Sequence, residues 1–143
     1  MFPASFGIPA SLGKVLGALA VTAALAWSGP AAAGEWFWYH ADRFAADVAA
    51  GKTVMVAVHA DWCTTCRAQA PVMLDVLAEP AFENAVGYVV DFDTEIDFLF
   101  DYWVRVQSTL IVFAGGEEVG RAIAITAPDS IRALFTLGLP VTN

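Results

Sequence analysis

The chain of 143 residues is poor in several residue types, and each shortage narrows its function. Seven lysines and arginines stand against fifteen aspartates and glutamates, and no Lys/Arg run occurs anywhere. A surface with so little positive charge cannot track a phosphate backbone, which argues against nucleic acid as a partner. No glycine-rich phosphate loop, Ser/His/Asp order or paired-carboxylate signature stands out. Long apolar runs are lacking too: the longest, within Val15 to Trp27, is about 13 residues, short of the roughly 20 that a spanning helix needs. Cysteine is limited to Cys63 and Cys66.

The first 33 residues read differently from the rest. A lone cation at Lys14 precedes the apolar stretch Val15 to Trp27, and Ser28-Gly29-Pro30-Ala31-Ala32-Ala33 follows. A weakly basic start, an apolar centre and small residues at an A-x-A site are the order of a signal peptide. Cleavage is expected after Ala33, leaving one domain over 34–143 that is exported, to the periplasm or its equivalent, with no stable membrane insertion. An uncleaved anchor is the competing reading. Loss of the leader removes Lys14 and leaves six basic side chains against fifteen acidic ones. Such acidity favours solubility, with some preference for cationic partners.

Beyond Ala33 there is no repeat, low-complexity tract or linker. Trp36-Phe37-Trp38-Tyr39 reads as a short first strand docking on the core, with an exposed contact patch as the alternative. Asp42 is a candidate cap for a helix to Ala50, with Phe44 and Val48 on its inner face and Gly51 as its stop. Thr53 to Val58 is a continuous β-prone run, as expected of a strand buried on both faces. A helix to about Glu79 follows, with Val72, Val76 and Leu77 as core candidates and Pro71 as an interior kink. A strand over 86–92, a helix over 95–102, a strand over 109–114, a Gly115-Gly116 turn into a strand over 119–125, and a helix over 128–137 complete the order. From the strand over 53–58 onward the pattern β-α-β-α-β-β-α predicts an α/β domain whose central mixed sheet is flanked by helices.

The chemistry concentrates in His59-Ala60-Asp61-Trp62-Cys63-Thr64-Thr65-Cys66-Arg67, where the second strand hands over to a helix. A thiol in the first turn of a helix faces unpaired backbone N–H groups and the positive end of the macrodipole. Both favour the thiolate, the form that attacks disulfides. A second thiol one turn on can resolve the mixed disulfide. A structural staple is the alternative, but a loop of two intervening residues constrains the unfolded chain very little.

Trp62 just before Cys63, Pro71 five residues after Cys66, and the 109–114 strand leading into Gly-Gly-Glu resemble the thioredoxin superfamily over the whole of 34–143. Ala60-Asp61-Trp62-Cys63 with Leu77-Ala78-Glu79-Pro80 looks most like the exported thioredoxin-like domains, such as the C-terminal domain of DsbD-type transmembrane reductases. The resemblance implies a thioredoxin-like fold and a protein thiol–disulfide oxidoreductase of reductase or interchange type. Cys63 would be the accessible attacking sulfur and Cys66 the resolving one. Trp62, Gln107, Ser108 and Thr109 would hold the partner's backbone. It also implies protein thiols and disulfides as partners, a membrane redox partner that resets the pair, and no cofactor.

Three departures from the family are visible. The family's cis-proline opposite the cysteines is replaced by Ser108 within Val106-Gln107-Ser108-Thr109. A cis bond before a non-proline residue costs about 3–4 kcal/mol, so the Gln107–Ser108 bond is expected to be trans. The family's buried aspartate six residues before the first cysteine is Ala57, and the lysine that partners it is Val89. A proton acceptor must then be water, His59 or Asp61, or be absent. Thr64 and Thr65 tune the first thiol but offer no cation to hold a thiolate, which leans toward reduction or interchange over strong oxidation.

Among the neighbours, His59 could steady a thiolate, shuttle a proton or serve as a third metal ligand, or simply pack beside the helix. Arg67 could favour the thiolate or sit solvated. The acidic run Asp91, Asp93, Glu95, Asp97 and Asp101 lacks the spacing of a calcium loop and reads as a solvated loop and helix start. The rival functions are a copper- or zinc-handling protein using Cys63, Cys66 and His59, and a binding module of low turnover.

Overall fold

The apolar run before the cysteines forms the central strand of a five-stranded sheet. A computed structural model describes residues 34–141, so the leader expected over 1–33 lies outside the described residues. In chain order the elements are β1 (Glu35–Trp38), α1 (Ala41–Ala49), β2 (Val54–His59), α2 (Thr64–Leu77), a short 3-10 turn (Pro80–Phe82), β3 (Val86–Asp91), α3 (Ile96–Asp101), β4 (Thr109–Ala114), β5 (Glu117–Ile123) and α4 (Pro128–Thr136). The strands lie in the order β1-β3-β2-β4-β5. β1 and β2 run parallel to β3, whereas β4 runs antiparallel to both β2 and β5.

Helices cover both faces of the sheet, which explains why β2 is apolar at nearly every position rather than alternating. Met55 and Ala57 point to the layer built by Met73 and Leu77 of α2 and Phe135 of α4. Val54, Val56 and Val58 point the other way, against Phe44 of α1 and Phe98 of α3. The N-terminal aromatic cluster is divided by the same two-residue period. Trp36 packs on the α2/α4 layer, Phe37 on the α1/α3 layer, and Trp38 is exposed. Trp36 also lies directly over Gly87 of β3, leaving no room there for a Cβ.

Several expectations are corrected in detail. His40, not Asp42, is the N-cap of α1, and it makes no side-chain cap bond. Asp42 sits in the first turn, where its charge complements the helix dipole. α2 ends at Leu77, and its buried contacts include Met73, whereas Val72 is only half-buried. β5 begins at Glu117, two residues earlier than its apolar stretch suggests, because Gly115 and Gly116 take φ values of 59° and 88° and close a tight hairpin. Pro71 lies inside α2 as expected.

α1 is tied to the sheet by a buried polar contact. The Tyr88 hydroxyl donates to Asp47 Oδ2 at 2.6 Å, and Lys52 Nζ donates to Asp47 Oδ1 at 2.6 Å. Burial opposes ionisation of Asp47, but the hydrogen bonds from Lys52 and Tyr88 and the charges of Lys52 and Arg43 outweigh it and hold the carboxyl below its usual value. Burial, then the bond to Asp47, pushes Tyr88 up to about 12.

Candidate functional site

At the carboxyl end of β2 the chain turns through Ala60-Asp61-Trp62 and enters α2 at Thr64. Cys63 is the N-cap of that helix, with extended backbone at φ −81° and ψ 109°. Its sulfur accepts the backbone N–H of Cys66 at 3.0 Å, one of the donors that a helix start leaves unpaired. Cys63 and Cys66 are joined in a disulfide, with their Cα atoms 5.3 Å apart. Both are largely covered: Cys63 shows 4 % of its surface and Cys66 2 %. The accessible attacking sulfur expected at Cys63 is therefore corrected: in the disulfide form Cys63 is a buried residue, as Cys66 is. Ala60 and Phe92 pack around the pair.

The loop before β4 closes the site from the other side. Ser108 donates its backbone N–H to the Val58 carbonyl at 2.8 Å, and Cys66 Sγ lies 3.8 Å from that same oxygen. Ser108 adopts φ 57°, in the left-handed region that a residue with a Cβ seldom occupies. Its hydroxyl turns back onto the Gln107 carbonyl at 2.6 Å, and Thr109 Oγ1 donates to the Val106 carbonyl at 2.7 Å. Of the four residues expected to receive a partner, Trp62 is 57 % exposed and Gln107 half-buried, whereas Ser108 and Thr109 are buried. Thr109 opens β4 and belongs to the sheet interior, so the expectation that Ser108 and Thr109 meet a partner directly through exposed side chains is corrected.

Trp62 is held in place. Its Nε1–H donates to Asp93 Oδ2 at 2.9 Å, while Asp91 Oδ1 accepts the backbone N–H groups of Asp93 and Thr94 at 2.8 and 3.1 Å. Two members of the acidic run therefore build the loop and anchor the tryptophan. Nothing local in the sequence signals this, because the partners lie 31 residues apart. His59 Nε2 faces Asp61 Oδ1 at 3.3 Å, and Arg67 Nη1 donates to the Asp61 carbonyl at 2.8 Å, so both basic groups are engaged by Asp61. Thr64 is exposed and Thr65 half-buried. Among the described residues no group of three or more His, Cys, Asp or Glu side chains is arranged to hold a metal ion, and His59 does not join the sulfurs in one.

Ala57 and Val89 are register partners on β2 and β3. Both positions read from the sequence as losses of charge thus fall side by side, and the site has no buried acid–base pair there. Sequence reasoning also missed Gln69. It is 1 % exposed, and its Nε2 donates to the Ser108 carbonyl at 3.2 Å and to the Ile125 carbonyl at 2.9 Å. Its one legible signal was a polar residue on the inner face of a helix otherwise buried through Met73, Val76 and Leu77.

The family model described as Thioredoxin matches residues 36–136. The chain belongs to the thioredoxin family. With a CxxC disulfide at the start of α2, this thioredoxin domain is a thiol–disulfide oxidoreductase. It is 30 % identical to thioredoxin of Chlamydia trachomatis over 66 % of this chain and 90 % of that one. It is 34 % identical to thioredoxin-2 of Pyricularia oryzae over 62 % of this chain but only 50 % of that protein. Among solved structures, Trxlp of Edwardsiella tarda superposes with a TM-score of 0.69 at 34 % identity, covering 71 % of this chain and 98 % of that one. A mutant thioredoxin from Halobacterium salinarum gives the same TM-score of 0.69 at 22 % identity, over 80 % of this chain and 100 % of that one, a likeness of fold.

Proposed function

We propose that this thioredoxin domain is an exported reductase or interchange protein for disulfides in partner proteins. The observation that carries this reading is the position of the Cys63 sulfur at the N-cap of α2, on the Cys66 N–H. In the reduced protein the same N–H and the helix dipole favour a Cys63 thiolate. The thiolate attacks one sulfur of a partner disulfide and expels the other as a thiolate, forming a mixed disulfide. Cys66 then loses its proton and attacks the Cys63 sulfur, expelling the second partner thiolate and restoring the Cys63–Cys66 disulfide. The partner gains two electrons and the domain loses two. Trp62 and Gln107 form the rim that meets the partner, with Ser108 and Thr109 behind it. Thr64 and Thr65, with His59, Asp61 and Arg67 nearby, tune the first thiol.

The leader-like composition of 1–33 supports export to the periplasm or an equivalent compartment, where a membrane redox protein of the DsbD kind would return electrons to the pair. Reduction of insulin by the 34–143 protein, with Cys63→Ser as control, tests the chemistry. Turnover is expected from the first and none from the second, and equal rates would end the proposal. Equilibration with glutathione tests the direction: a potential near about −270 mV supports a reductant, and one near about −120 mV reverses the assignment. Recovery of a mature N-terminus at Gly34 outside the cytoplasm tests the location.

A further inference from the structure

Gln69 is a polar side chain buried to 1 % exposure one turn beyond Cys66, and it spends both amide hydrogens on carbonyls from other segments. One belongs to Ser108, 39 residues away, and the other to Ile125, 56 residues away. The Ser108 carbonyl also accepts the backbone N–H of Ala124 at 3.0 Å. Ser108 and Ala124 are both non-glycine residues at positive φ, 57° and 58°. Two left-handed residues thus meet through a backbone hydrogen bond, and the Gln69 amide spans the junction. Such conformations persist only where the surroundings over-determine them.

The junction reaches the sulfurs by a short route. Ser108 N–H occupies the Val58 carbonyl, and Cys66 Sγ is 3.8 Å from that oxygen. A reduced Cys66 thiol held at this position would have that carbonyl within reach as an acceptor, sharing the oxygen with Ser108. We propose that Gln69 is a positioning residue for thiol–disulfide exchange. By holding the Ser108 carbonyl it fixes the left-handed turn, and through Ser108 it sets both the rim that meets the partner and the environment of the Cys66 thiol. A proline at position 108 would have its φ locked negative and no N–H for Val58. The serine needs a tether that proline would not, and Gln69 supplies it. The assignment rests on the exchange chemistry proposed for Cys63 and Cys66, which insulin turnover by the unsubstituted protein tests separately.

Gln69→Met keeps the length of the side chain and removes both donors. A buried hydrogen bond is worth about a factor of ten. The variant is expected to lose about that factor in kcat/KM for insulin, mainly through KM, and to shift its equilibrium constant with glutathione by about threefold or more. Ser108→Gly placed in the Gln69→Met background is the decisive variant, since glycine takes a positive φ without a tether. It is expected to restore at least half of the lost kcat/KM. A Gln69→Met protein with unchanged KM and unchanged glutathione equilibrium overturns the proposal. So does a defect that Ser108→Gly leaves untouched, because Gln69 would then matter only for packing. If Gln69→Met does not fold, Gln69→Asn, whose amide is one methylene too short to bridge both carbonyls, is measured in its place with and without Ser108→Gly. A KM equal to that of the unsubstituted protein overturns the proposal there too.

Discussion

Ala57, buried in β2, faces Val89 across the parallel pairing with β3, six residues before the attacking sulfur. An aspartate introduced there would enter an apolar environment with no cation across the strand. Its carboxyl would be pushed above the usual carboxylate range, since burial disfavours the charged form. A raised folded value means the variant is most stable below the ordinary carboxylate pKa and loses stability as pH rises through the raised one. Ala57→Asp is therefore expected to be destabilised by about 2 kcal/mol or more at pH 8 and less at pH 4.5, as read by denaturant unfolding at both pH values. At this scale the sequence was only partly legible. Cys63 and Cys66 declared themselves because helix start and spacing are local properties. Gln69, Asp93 and Ala124 did not, because each acts through a contact formed only when distant segments meet.

The elements themselves were easier to read, since apolar periodicity records how many faces of a strand or helix are covered. β4 falls on the residues expected, and α4 differs only in its last residue. The misplacements lie at ends, where capping and turn geometry decide: α1 starts from His40 without a side-chain cap, and β5 starts directly after the Gly-Gly turn. One contact between elements has a pH signature. Asp47, with its carboxyl held below the usual value, adds stability above its ordinary pKa that is lost as pH falls through the lowered one. Tyr88, pushed up to about 12, adds stability below its ordinary pKa of 10.0 that is lost as pH rises toward 12. Asp47→Ala leaves the buried Tyr88 hydroxyl without its acceptor and is expected to cost about 1–3 kcal/mol at pH 7. The cost should shrink as pH falls from the ordinary 3.8 through the lowered value, where Asp47 in the unsubstituted protein also protonates. Urea midpoints across that range check both claims.

For the molecule as a whole, the order β1-β3-β2-β4-β5 places α1 and α3 on one face and α2 and α4 on the other. The alternation of strands and helices in the sequence implied such layers, and two apolar clusters realise them. The surplus of acidic side chains is a property at this scale too. Exchange with a basic disulfide peptide is expected to be faster than with an acidic one at low salt, the two rates converging near about 0.5 M salt, where screening is nearly complete. Stopped-flow rates for the two peptides across a salt series check this. The Cys63–Cys66 bond uses every cysteine in the chain. An oxidising folding environment therefore offers this polypeptide one intramolecular pairing and no wrong isomer to escape, so maturation needs no shuffling catalyst. By the same count, any thiol-blocking reagent that adds mass to the unfolded chain reports on the working pair alone, and its redox state can be read directly inside a cell.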